Sequence, residues 1–66
     1  MNNTPTTVVV PVFNEKDAVG ILLEKIMEMK LHERFTFLFI DDGSDDGSPE
    51  VIRRYPVTLL VHSVNK

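Results

Sequence analysis

Four carboxylates, Asp41, Asp42, Asp45 and Asp46, fall within six residues, interleaved with Gly43, Ser44, Gly47 and Ser48, directly after the apolar residues Phe39 and Ile40. Like charges this close repel one another, so the cluster invites a cation or the hydrogen-bond donors of a ligand. A second short segment, Pro11-Val12-Phe13-Asn14-Glu15, follows the run Val8-Val9-Val10 and supplies an aromatic ring beside a carboxylate. An ionised carboxylate only accepts hydrogen bonds, so it suits the ring N–H of uracil or guanine and not the lone pair that adenine and cytosine present at that edge. Asp42 is the candidate reader of such a base. The first segment has no glycine, which disfavours both the G-x-G-x-x-G fingerprint and a Walker loop as a phosphate cradle. A diphosphate next to these acids needs a divalent ion between them, and hard oxygen ligands favour Mg²⁺ or Mn²⁺. The opposing reading is an acidic turn, with Asp and Gly present for backbone geometry and Ser48 capping the helix that follows. On the residues alone both readings stand.

The elements that must position these residues are legible in the pattern. Thr7 to Val10 is β-branched and reads as strand β1, with Pro11 at its end because proline cannot donate to a ladder. Asn14 reads as a helix cap, with Glu15 and Asp17 suiting the positive end of the helix dipole. Val19, Leu22, Leu23 and Ile26 recur at helical spacing, which predicts an amphipathic helix over about Glu15 to Met29. Ile21 lies on its polar side, and Met27 and Met29 flank the stripe as packing residues. Leu31 to Arg34 is a short connection, and its His32 falls away from the acidic edge. Phe35 to Ile40, apolar on both faces except at Thr36, reads as a strand buried in a parallel sheet. Ser48 and Pro49 read as an N-cap and first helical residue of a short helix over Glu50 to Tyr55, ended by Pro56. Val57 to His62 is a third strand. The order β-α-β-α-β with short links predicts an α/β fold of three layers, α/β/α, around a parallel sheet with right-handed crossovers. The two acidic and aromatic segments then meet at the carboxyl edge of that sheet, where open α/β folds bind ligands.

Composition narrows the function classes. With 66 residues the chain buries only about 60% of its unfolded surface, so it forms one small unit at most. A net charge of −3, with no basic stripe beyond Arg53-Arg54, argues against nucleic acid as a partner. The absence of cysteine excludes disulfides, thiolate metal sites and a cysteine nucleophile. No apolar stretch approaches the roughly 20 residues that span a bilayer, and the N-terminus has no signal-peptide pattern, so the expected setting is cytoplasmic. Two helices cover a three-stranded parallel sheet poorly. The expectation is therefore a single partial domain over residues 1–66, with 1–6 a loose lead-in, corresponding to the first half of a larger α/β domain.

Val8-Val9-Val10-Pro11-Val12-Phe13-Asn14-Glu15, followed by Phe39-Ile40-Asp41-Asp42-Gly43-Ser44-x-Asp46-Gly47-Ser48, resembles the amino-terminal signature of the family 2 glycosyltransferases. The resemblance runs from about Thr7 to Lys66 and comes nearest to the group that transfers a sugar to a polyisoprenyl phosphate. It implies the Rossmann-like GT-A fold and an inverting enzyme with a UDP- or GDP-sugar as donor. Carried over residue by residue, it implies that Pro11, Val12 and Phe13 line the nucleotide pocket through backbone and ring contacts. It further implies that Glu15 borders that pocket and that Asp42 contacts the base. Asp41, Ser44 and Asp46 are expected mainly to shape the loop, with Asp41 kept as a candidate contact. Asn65 matches an Asn that the family often carries after its third strand. Phe13 stands where many members have Tyr, which keeps stacking and loses a hydroxyl.

The family's D-x-D metal motif, with Mg²⁺ or Mn²⁺, and its catalytic base come later than these 66 residues, so this stretch is expected to bind donor without transferring sugar. Any membrane association is expected through regions outside it. Two other classes are carried beside this one. A receiver-like signalling module also collects acids at a sheet edge, although after its first strand. An inert α/β scaffold would pair with a second copy through uncovered sheet faces, and a homodimer is its expectation.

Overall fold

In the computed structural model, which describes residues 6–62, the order of elements is β1 (Thr6–Val12), α1 (Lys16–Glu28), a 3₁₀ turn (Leu31–Glu33), β2 (Phe35–Asp41), α2 (Ser48–Ile52) and β3 (Thr58–Val61). All three strands are parallel, in the order β1-β2-β3, with Val12 opposite Asp41 and Asp41 opposite Val61. The expected parallel α/β architecture is thus formed. Residues 1–5 and 63–66, and with them most of the expected lead-in and Asn65, lie outside the described residues.

Pleat alternation sorts the strand side chains between two faces. Val12, Phe37 and Phe39 point to one face and are buried, with Val8, Val10 and Leu59 packed against them. Val19, Leu23 and Ile26 of α1 and Ile52 of α2 close that core from above. Thr36, Val9 and Leu60 point to the other face, where Val9 and Leu60 are 54% and 55% exposed. Among the described residues the molecule therefore has two layers, and the third layer expected from the sequence is not formed by them. The reason is topological. A sheet whose order never reverses, joined by right-handed crossovers, carries every crossover helix on the same face.

Local chemistry accounts for the element ends. Pro11 lies inside β1 and does not end it. The Val12 carbonyl accepts the Asp42 N–H at 2.9 Å, so Val12 turns its peptide groups toward β2, and the alternation leaves the Pro11 nitrogen facing the free side of the strand. Just past the end of helix α1 the Lys30 N–H bonds the Met27 carbonyl at 3.1 Å, and the left-handed backbone of Lys30 (φ 55) turns the chain out of the helical path. The predicted stripe of α1 is narrower in the fold: Leu22 is 38% exposed, and Ile21 is exposed beside the groove between α1 and α2. His32 sits in the 3₁₀ turn that leads into β2, at the opposite end of the sheet from the acids, as its position in the sequence implied.

Candidate functional site at the carboxyl edge

Parallel strands deliver their carboxyl ends to one edge, so the loop after β1, the loop after β2 and the residue after β3 converge. The first two loops are laced together by side chains. Asn14, with a left-handed backbone (φ 49), donates its N–H to Ser44 Oγ at 2.8 Å, and its Oδ1 accepts the Asp45 N–H at 2.9 Å. Asn14 is therefore not the cap of α1, because a cap residue needs extended backbone. That role passes to Asp46 of the other loop, whose Oδ2 accepts the Lys16 N–H at 3.0 Å. The other oxygen of Asp46 accepts the N–H and the hydroxyl of Ser48, at 3.0 and 2.5 Å. One carboxylate thus holds the amino ends of both helices, where their dipoles favour negative charge. Ser48 is accordingly inside α2, preceded by Gly47 in left-handed geometry (φ 91), and is not its cap.

Hydrogen bonding by Ser48 holds the Asp46 carboxyl below the usual aspartate value, helped by the Lys16 and Ser48 amides and opposed by some desolvation. A depressed folded-state pKa means that the ionised form favours folding. The contribution is complete above the unfolded pKa of about 4 and is lost as pH falls through the lower folded value. Asp46→Asn is expected to flatten the acid limb of the stability curve below the usual aspartate value of about 4, measured by thermal melts at a series of acid pH values. A limb as steep as in the unmodified chain refutes the clamp.

Asp41 ends β2 on the core-facing side and is fully buried. Its Oδ1 accepts the N–H groups of Gly43 and Ser44 at 3.0 and 2.8 Å, closing the loop on itself, while Oδ2 has no hydrogen-bond partner. Asp42, one residue on, turns to the opposite face, and its Oδ1 lies 3.0 Å from His62 Nδ1 with both side chains largely exposed. The Asp42 amide is held by Val12 and the His62 amide donates to the Asp41 carbonyl at 2.7 Å, so the ladder fixes the backbone of both residues.

Phe13 is 55% exposed, and its N–H points to Glu15 Oε1 at 3.4 Å. Pro11 is exposed on the same outward face as Val9. A shallow depression of about 370 Å³ lined by Asn14, Glu15, Lys16, Asp17, Ala18 and Asp46 adjoins the loops. A larger groove of about 810 Å³ runs between α1 and α2, on the far side of the helices from the outward face of the sheet.

Of the six residues proposed from the sequence, the fold leaves Pro11, Phe13, Glu15 and Asp42 accessible and buries the side chains of Val12 and Asp41. Val12 is 2% exposed and packs in the core, with its carbonyl already bonded to Asp42. Asp41 is occupied in shaping its own loop. The burial of both side chains follows from strand parity, since Val12 and Asp41 are register partners on the buried face. His62 was missed. Its signal lay in the parallel order, because the residue closing β3 must arrive at the same edge as Asp42. Among the described residues there is no group of three or more His, Cys, Asp or Glu side chains placed to hold a metal ion. The acids present do not converge on one point for a divalent ion: Asp46 accepts the Lys16 and Ser48 donors, Asp41 Oδ1 accepts the Gly43 and Ser44 amides, and Asp42 turns to the other face against His62.

The sequence profile of glycosyl transferase family 2 matches residues 7–66. The chain belongs to that family. Three bacterial relatives, each named undecaprenyl-phosphate 4-deoxy-4-formamido-L-arabinose transferase, are similar to it. The Aeromonas hydrophila protein is 41% identical over 58 residues, covering 80% of this chain and 18% of its own length. The proteins of Edwardsiella ictaluri and Photorhabdus laumondii are 35% identical over 49 residues and 33% over 48. They cover 71% and 70% of this chain and 15% of their own length in both cases. The chain thus spans less than a fifth of the length of these relatives. No solved structure matches it. The polyisoprenyl-phosphate group suggested by the two motifs agrees with the relatives' names, and the receiver-like reading gives way to the glycosyltransferase one. No helix among the described residues is long and apolar enough to cross a membrane.

Proposed function

We propose that this chain forms the base-binding end of the nucleotide-sugar site of an inverting glycosyltransferase whose acceptor is a polyisoprenyl phosphate. The observation that carries the reading is the convergence of Phe13, Glu15 and Asp42 at one carboxyl edge, all accessible and with the Asp42 backbone fixed by the Val12 carbonyl, within a family 2 chain. Phe13 offers a ring face for stacking. Asp42, acceptor-only when ionised, takes the imide N–H of uracil or guanine. The names of the relatives support undecaprenyl phosphate or a similar lipid phosphate as acceptor.

The amino end of α1 does not bind the diphosphate in this reading. Asp46 already satisfies the Lys16 amide, and Glu15 and Asp17 make that end acidic. Family 2 enzymes use nucleotide-sugar donors and divalent metal. Here the metal, Mg²⁺ or Mn²⁺, is assigned to residues other than these acids, and the 66 residues alone bind donor without turning it over.

Titration of the chain with UDP, GDP, ADP and CDP, followed by amide NMR, tests the reading. Shifts at Phe13, Glu15 and Asp42 with UDP or GDP alone are expected. Asp42→Asn swaps an acceptor for an amide that also donates, and is expected to weaken that binding by about 1–3 kcal/mol, with the urea midpoint unchanged. Equal affinity of the variant returns Asp42 to a turn-forming role.

A further inference from the structure

His62 has no role in the reading above, yet the fold brings it to Asp42, the acid assigned there to the base. Val61 is opposite Asp41 in the ladder, so His62 lies opposite Asp42 on the neighbouring strand. Both follow residues, Ile40 and Leu60, that sit on the outward face, and both side chains point to that same side, since Asp42 Oδ1 and His62 Nδ1 meet at 3.0 Å. The His62 amide, bonded to the Asp41 carbonyl at 2.7 Å, anchors the ring's own backbone.

An ionised carboxylate has no proton to give, so the hydrogen of this contact resides on His62 Nδ1. The contact therefore specifies the Nδ1–H form of the ring and occupies Asp42 Oδ1. Oδ2 is left as the acceptor for an incoming donor. In water such an exposed pair contributes little to folding, because both partners are well solvated and mobile. A base whose edge meets Oδ2 displaces water from that side of the pair, and in lower dielectric the same bond strengthens. An exposed Asp side chain otherwise loses rotamer freedom when it binds, and a partner that restricts it beforehand lowers that cost.

We propose that His62 is a positioning residue for the base-reading carboxylate: its Nδ1–H holds Asp42 Oδ1 so that Oδ2 is aimed at the imide N–H of a uracil or guanine ring. The proposal rests on the nucleotide-site reading above and adds to it a residue on β3. His62 acts through Asp42 and itself touches no reacting atom.

Substitution separates the donor from the bulk of the ring. His62→Phe keeps a planar side chain and removes Nδ1–H. His62→Asn places an amide N–H at nearly the position of Nδ1 and restores a donor. UDP and GDP affinities of the 66-residue chain, measured by NMR titration, are expected to fall about three- to tenfold in His62→Phe and to return to within about twofold of the unmodified value in His62→Asn. In an Asp42→Asn background, His62→Phe is expected to have no further effect, because the carboxylate it orients is absent. Amide spectra and urea midpoints of the single variants monitor folding, and the rescue by His62→Asn distinguishes positioning from general support of the edge.

Equal affinities of His62→Phe and the unmodified chain overturn the positioning role and leave the nucleotide site standing. Equally weak binding by His62→Phe and His62→Asn overturns it too, by pointing to ring shape instead of the donor. If the unmodified chain responds to neither diphosphate, the nucleotide site and the positioning role fall together.

Discussion

Phe39→Ala is expected to destabilise the chain by about 3–5 kcal/mol, the usual cost of emptying a buried aromatic site. Phe39 is fully buried at the middle of the central strand, in register with Val10 and Leu59, with its ring centroid 6.5 Å from that of Phe37. It is covered by the same core that includes Leu23, Ile26 and Ile52 of the two helices. Truncation therefore leaves a cavity bounded by sheet and helices at once, and no single neighbour can collapse into it. Units of this length seldom have more than about 3–5 kcal/mol in total, so the variant is expected to lose its cooperative urea transition altogether. The matched substitution on the outward face, Leu60→Ala, removes a side chain that is 55% exposed and is expected to shift the midpoint little. Similar effects of the two substitutions overturn the one-sided core.

Asp41→Ala and Asp42→Asn are expected to fail in different ways, although the residues are adjacent and chemically alike. Asp41 is buried, and its Oδ1 serves the amides of Gly43 and Ser44. Removing that acceptor leaves two loop amides to find other partners, at a net cost of about 1–3 kcal/mol, since the departure of the unpartnered Oδ2 offsets part of the loss. The loop from Asp41 to Ser48 also carries the bonds of Ser44 and Asp46 to the first loop, so its loosening propagates to Asn14 and Lys16. Asp41→Ala is thus expected to lower the urea midpoint, to speed amide exchange at Gly43 and Ser44, and to weaken nucleotide binding as a consequence. Asp42→Asn weakens binding at constant stability. A stable Asp41→Ala chain whose only defect is nucleotide affinity identifies Asp41 as a direct ligand contact and reverses the assignment made from its burial.

The amino-acid sequence by itself determined the order of elements, the parallel sheet and the edge at which its candidate site lies. Each of these follows from local periodicity: the β-branched run at Val8-Val9-Val10, the helical recurrence of Val19, Leu23 and Ile26, and the abrupt change from Ile40 to carboxylates. The paired motifs also determined the family. Element ends were less legible, because the donors that set them come from elsewhere in the chain. Asp46 caps a helix that begins 30 residues earlier, and no local pattern around Asn14 announces it.

Only the tertiary structure decided which acids remain available. Pleat parity buries Val12 and Asp41 and turns Asp42 outward, and a one-residue change in strand register would exchange those roles. The β2–β3 ladder brings His62 to Asp42 across 20 residues of sequence. An unreversed strand order places both helices on one face and leaves Val9 and Leu60 uncovered on the other. Periodicity is encoded residue by residue, whereas register, facing and the choice of hydrogen-bond partner are properties of strands already paired. The chemistry of this edge was written in the sequence, and the division of labour among its acids was set by the sheet.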